Sequence, residues 1–143
     1  MAERVPWEGL RPEEPHVWRT LGYRRLEQDH GSGRTVIEWD ASEDYSFPTG
    51  TGWVVHGGLV TTLLDTAMGG ACWTVLEEGE TFLTADLRAE FIRATRPGTI
   101  RAEGQVVHKT RRLAFCEAQA FDTGGDLLAA ARCTQVLRPA RAY

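Results

Sequence analysis

The 143-residue sequence predicts an α+β fold, in which a curved antiparallel sheet of five to six strands wraps around one long central helix. Three observations predict it. Residues 57–76, GGLVTTLLDTAMGGACWTVL, contain no Pro and a single charge, Asp65. That run is too long for a buried strand and apolar nearly all round, so it reads as an enclosed helix. Downstream, Leu83, Ala85, Leu87, Ala89 and Phe91 alternate with Thr84, Asp86, Arg88 and Glu90, the period of a strand with one buried and one wet face. Further on, Ala114, Cys116, Ala118 and Ala120 share a strand face. Small side chains let a helix lie close to a sheet, so this face is assigned to the central helix.

Taken in order, residues 1–20 form an N-terminal arm, with a short helix over Pro12–Thr20 carrying acidic residues in its first turn. Residues 21–143 form a single domain. Leu21–Gln28 and Arg34–Asp40 are short strands joined by a turn at His30-Gly31-Ser32-Gly33. Residues 41–55 read as a long loop, which placed directly before the helix suggests function. After the helix and a charged turn at Glu77–Glu80 come four antiparallel strands. Turns at Arg96-Pro97-Gly98, Thr110-Arg111 and Asp122–Asp126 separate them. Such a sheet leaves an edge, and pairing that edge across a two-fold axis would cover it.

Composition narrows the function. The chain is 42% apolar and 25% charged, as in globular proteins, and its net charge of −4 argues against a general nucleic-acid surface. A membrane span at residues 57–76 is disfavoured by Asp65, by the Gly and Thr content and by the missing basic flanks. The first residues, MAERVPWEGLRPEEP, lack the apolar region of a signal peptide. Cys72, Cys116 and Cys133 have no CxxC spacing and sit in apolar segments, so they read as reduced core residues of a cytoplasmic protein. His16, His30, His56 and His108 have no metal-ligand spacing, and neither a metal nor a cofactor is expected. Asp65 stands out, because a buried carboxylate is costly unless it is satisfied or functional.

The spacing His56-Gly57-Gly58, then Asp65-Thr66-Ala67, resembles the hotdog-fold acyl-CoA thioesterases of the phenylacetate-degradation, PaaI-like, type. The likeness continues through TADLRAEFIRATRPG, RRLAFCEAQAFD and LLAAARCTQVL, over roughly residues 35–138. It implies a hotdog fold, a homodimer or dimer of dimers, and hydrolysis of a CoA thioester, with CoA as part of the substrate. It places the catalytic carboxylate on Asp65, the carbonyl-polarising N–H on Gly57, a supporting hydroxyl on Thr84 and the motif histidine on His56. A cation that meets CoA phosphates falls near Arg111, with Arg112 beside it. Gly50 stands where the family usually has Asn or Gln, and Trp53 where it has Gly.

The residues themselves make this chemistry workable. A helix N-terminus has free N–H groups and a partial positive charge, and Gly57 and Gly58 let a carbonyl approach them. A developing oxyanion would be stabilised there while Asp65 activates water or attacks directly. Gly57 and Asp65 lie about 12 Å apart along one helix at about 1.5 Å per residue. One carbonyl therefore reaches both only if two helices meet across a dimer axis. Trp53 and Met68, with Tyr45, Phe47, Pro48, Cys72 and Trp73, are expected to wall a pocket for a medium-chain or aryl acyl group. Two alternatives stay open: a thioesterase acting on carrier-protein-bound acyl groups, and a non-catalytic acyl-CoA-binding hotdog domain.

Overall fold

The structure, a computed structural model, describes residues 15–139. Helix α1 (His16–Leu21) is followed by β1 (Arg24–Glu27) and β2 (Arg34–Ala41). A single 3-10 turn (Glu43–Tyr45) leads into β3 (Ser46–Thr49) and β4 (Gly52–Val55). The long helix α2 (Gly57–Trp73) comes next, then β5 (Glu80–Phe91), β6 (Gly98–Lys109), β7 (Leu113–Phe121) and β8 (Leu127–Pro139). Six strands form one antiparallel sheet in the order β1-β2-β6-β7-β8-β5, and β3 pairs with β4 separately. The expected fold class is the observed one.

The core lies between α2 and the concave face of the sheet. Leu63, Leu64 and Met68 are completely enclosed there. Each such side chain contributes about 1.5–3 kcal/mol relative to an exposed one. The face expected to receive the helix does so, with Ala114, Cys116, Ala118 and Ala120 of β7 all buried in the same cluster. The closest approach is on β6, where a Cβ placed on Gly104 would overlap the carbonyl of Ala67. Only glycine lets α2 sit this deep. Gly70 is similarly tight against Thr35 of β2, at 2.8 Å from a built Cβ.

Three expectations change in detail. The helix ends at Trp73, not Leu76. Thr74 Oγ1 donates to the Ala71 carbonyl at 2.7 Å and accepts from Gly33 N–H at 2.8 Å. Gly31 N–H also donates to the Thr74 carbonyl at 2.7 Å, so the β1–β2 turn takes over the last helical groups. Residues 41–55 are not an open loop, since most of them build the 3-10 turn and the β3–β4 hairpin. The arm boundary at residue 20 is crossed by α1, whose Trp18 is buried against Tyr23 with ring centroids 6.2 Å apart. Residues 12–14 of the expected helix lie outside the described residues.

The largest departure concerns the wrapping. α2 is buried only toward the sheet; Thr61, Thr62, Asp65, Thr66, Gly69 and Trp73 form a half-buried stripe on its other side. Among the described residues β5 is an edge strand paired with β8 alone, and its alternation is broken. Thr84 pairs with Gln135 and Asp86 with Thr134, leaving Ala85 as a bulge. The bulge switches faces, so that Phe82 packs inward before it and Leu87 and Ala89 after it. Leu83, expected in the core, is 55% exposed, and so is Phe91. Among the described residues, no helix is long and apolar enough to cross a membrane.

Gly104→Ala should be among the most damaging one-methyl changes in this protein. Its Cβ meets backbone that cannot swing aside, so urea unfolding is expected to show a loss of at least about 2 kcal/mol, the scale of overpacking a core. A loss below about 0.5 kcal/mol would mean that the helix can lift off the sheet at little cost.

Candidate functional site

The site is built on α2. Its first turn is organised by His56, the N-cap, whose Nδ1 accepts from Gly58 N–H at 3.0 Å. His56 N–H in turn donates to the Tyr45 carbonyl at 2.9 Å. The imidazole is thus a holding group for the helix entry, in keeping with its place in the sequence. With Gly58 N–H engaged, Gly57 N–H has no acceptor among the described residues and remains at the positive end of the helix. The Phe91 ring lies over Gly57, 3.2 Å from where a Cβ would be. A side chain at position 57 would strike that ring, whereas glycine leaves the N–H approachable.

Two turns along, Asp65 lies half-buried on the uncovered stripe. Thr84 Oγ1 stands 3.1 Å from Asp65 Oδ1. Burial raises the Asp65 carboxyl above the ordinary aspartate range, and the Thr84 hydrogen bond opposes part of that rise. Among the described residues no cation is a cause of the shift. The bulge at Ala85 is what aims Thr84 at the helix. The strict alternation in the sequence had placed it on the wet face. Directly opposite Thr84 on β8 stands Gln135, which has no exposed surface and whose Oε1 lies 3.0 Å from the same hydroxyl. Gln135 was not expected from the sequence. A signal existed, since Gln135 occupies the inward phase of β8 between Cys133 and Leu137. A polar residue there interrupts an apolar row.

The other expected residues fall in three places. Gly50 is at the tip of the β3–β4 hairpin, exposed, with nothing within 4 Å of a built Cβ. Trp53 faces Pro48 across that hairpin and is partly exposed. Arg96, which sequence reasoning missed, pins the hairpin by donating to the Trp53 carbonyl at 3.2 Å and to Thr51 Oγ1 at 3.3 Å. Beside the helix entry is an open cleft of about 420 Å³, lined by Asp44–Phe47, His56, Gly58 and Leu59. Met68, expected on the acyl wall, is a correction: it is wholly enclosed in the core, because it lies on the sheet-facing side of α2.

Arg111 and Arg112 lie in the β6–β7 turn. They line a cleft of about 860 Å³ with Arg138, Glu78, Glu80 and the ends of β5 and β8. Lys109 pairs with Glu80 at 3.2 Å, while Arg111, Arg112 and Arg138 have no ion-pair partner among the described residues. Val136, which lines this cleft, follows Gln135 on β8, and Gln135 reaches the Thr84 hydroxyl beside Asp65. The three cysteines are free and buried. Among the described residues no group of His, Cys, Asp and Glu is placed to hold a metal ion. A hollow of about 480 Å³ between Arg88, Glu117 and Arg132 lies on β5, β7 and β8 and includes none of the expected site residues.

A carboxylate raised by burial, a neighbouring hydroxyl and an unoccupied N–H at a helix start suit attack on a polarised carbonyl. Known proteins agree. The family profile described as "Thioesterase superfamily" matches residues 52–129, which is more than half of the chain. A protein of Saccharolobus solfataricus, whose name assigns it provisionally to the esterases, is 29% identical over 130 residues, 91% of this chain and 81% of that one. A phenylacetic acid degradation-related protein of Ralstonia eutropha superposes with a TM-score of 0.80 at 24% identity, over 93% of this chain and 99% of the other. The PaaI protein of the E. coli phenylacetic acid degradation operon superposes with a TM-score of 0.75 at 21% identity, over 86% and 84%. The chain belongs to the thioesterase superfamily and is a hotdog-fold thioester hydrolase.

Proposed function

We propose that the protein hydrolyses acyl-CoA thioesters, with Asp65 of one copy and Gly57 of a second copy meeting at each site. The observation that carries this reading is the pairing of a half-buried, Thr84-held carboxylate with a helix whose first N–H is left without an acceptor. In this mechanism the thioester carbonyl oxygen accepts from Gly57 N–H. The Asp65 carboxylate takes a proton from water as the water oxygen bonds to the carbonyl carbon. The C–S bond then breaks, and the departing sulfur receives the proton from Asp65. The raised carboxyl favours this base role, because a base with a higher pKa takes the proton more readily.

A second copy is required by distance, and two uncovered surfaces support it. The half-buried stripe of α2 centres on Asp65, and the outer edge of β5 has no pairing strand among the described residues, with Leu83, Phe91 and the following Ile92 exposed. Arg111 and Arg112, and not Glu78 or Glu80, would meet the CoA phosphates. Phe47 and Trp53 on the hairpin would bound a medium-chain or aryl acyl group, at about 0.8 kcal/mol per buried methylene.

A panel of acetyl-, hexanoyl- and phenylacetyl-CoA, with the matching acyl-pantetheines, tests the reading directly. kcat/KM is expected to rise at least tenfold from acetyl to the larger groups, and KM to rise when the nucleotide is removed. Asp65→Asn should lower turnover at least about a hundredfold. Burial raises the folded-state pKa of Asp65, so its effect on stability is adverse once the pH passes the unfolded value. The Asn variant should therefore melt no lower than wild type at pH 7. Turnover within threefold of wild type would remove Asp65 from the mechanism.

Thr84→Val removes the hydrogen bond that favours the ionised carboxylate. The acid limb of the kcat/KM profile is expected to move to higher pH, with the rate on the alkaline side changed less. A limb that stays in place would separate Thr84 from the titrating group.

Sedimentation velocity at assay concentration should find a dimer or larger. A fully active monomer would exclude the shared site.

A further inference from the structure

Gln135 is a polar side chain with no exposed surface, set among Ala131, Cys133 and Leu137 of the apolar face of β8. Its Nε2 donates to Cys133 Sγ at 3.3 Å, which turns Oε1 toward Thr84 at 3.0 Å. Thr84 Oγ1 is simultaneously 3.1 Å from Asp65 Oδ1. A threonine hydroxyl has one proton and cannot satisfy both oxygens at once. Whatever share goes to Gln135 is withdrawn from Asp65. The two acceptors are unequal: a carboxylate attracts the proton more strongly than an amide oxygen, but a protonated carboxyl does not need it. In that form Asp65 O–H donates to Thr84, and Thr84 donates to Gln135, so every member of the row is satisfied.

We propose that Gln135 is a positioning residue: by offering the Thr84 hydroxyl a second acceptor, it stabilises the protonated form of Asp65 that returns its proton to the leaving sulfur. This rests on the reading of Asp65 as the catalytic base. Gln135 touches neither substrate nor reacting atoms and acts through Thr84. The groups that bear on Asp65 from the elements around it are Thr84 from β5, Cys133 from β8 and Tyr23 from the segment before β1. The Cys116 hydrogen bond and burial raise the Cys133 thiol, burial raises the Tyr23 phenol against a Thr66 hydrogen bond that lowers it, and each stays neutral. The row Asp65–Thr84–Gln135 is therefore the polar path by which the neighbourhood adjusts to the proton on Asp65.

The titration of the Asp65 carboxyl carbon, followed by NMR in the full-length oligomer, tests this without turnover. In the wild-type protein the Gln135 side-chain amide signals should move with the same midpoint as Asp65. In Gln135→Met, similar in length but without an acceptor of this kind, the Asp65 midpoint should fall by about one unit, the equivalent of about 1.4 kcal/mol. The acid limb of kcat/KM should fall with it. In Gln135→Glu a second carboxylate should raise the midpoint. In a Thr84→Val background, Gln135→Met should have no further effect, since the connection is already cut. A wild-type Gln135 amide indifferent to the Asp65 titration overturns the proposal even if neither variant folds. A Gln135→Met midpoint that is unchanged or raised does the same. If the midpoints move as expected while Asp65→Asn retains full turnover, the hydrogen-bond row stands and the catalytic reading fails.

Discussion

The close contact between α2 and the sheet at Gly104 is the constraint on which the site depends. With a methyl group excluded there, the helix descends until the Ala67 carbonyl lies against β6. That depth encloses Leu63, Leu64 and Met68 on one side. On the other it leaves Asp65, two residues before Ala67, half-buried beside β5. Had the helix ridden higher, the carboxylate would be better hydrated and further from Thr84. Packing in the core and the ionisation behaviour of Asp65 are thus consequences of the same missing side chain.

The β5 bulge completes the arrangement. A strand in strict alternation would turn Thr84 away from the helix while presenting Leu83 to it. The additional residue at Ala85 reverses this locally, bringing Thr84 to Asp65 and sending Leu83 outward. One irregularity therefore supplies the hydroxyl and also an exposed apolar residue near the free edge of the sheet. The same device links Thr84 to the free edge of the sheet, the surface proposed to receive a second copy.

The fold was legible because it is written in periodicity. The long apolar run of α2 and the small-residue face of β7 each specify their partner by shape. His56, Gly57 and Asp65 were legible through their spacing, and the structure explains that spacing: one caps the helix, one keeps the first N–H approachable, and one sits on the open stripe. What the sequence concealed depended on contacts between distant segments. Thr84 was named through the family resemblance, whereas the alternation alone put it on the wet face, because a bulge has no simple sequence mark. Met68 looked like a pocket wall because the helix run is apolar on nearly every side, which hides the direction each residue faces. Arg96 acts on a hairpin more than forty residues earlier.

Gln135 shows how such distant contacts can still be sought. Hydrogen bonding, not hydrophobicity, justifies an amide in an apolar row, since a buried amide without partners costs more than the packing it provides. Its neighbours Cys133 and Thr84 satisfy it, and satisfaction of Thr84 by Gln135 comes at the expense of Asp65. An apolar residue at position 135 would leave the Thr84 hydroxyl to Asp65 alone. That arrangement holds the carboxylate ionised more firmly and makes it a weaker base. The amide would thus shift the carboxylate toward the protonated form, as the proposed base role of Asp65 calls for.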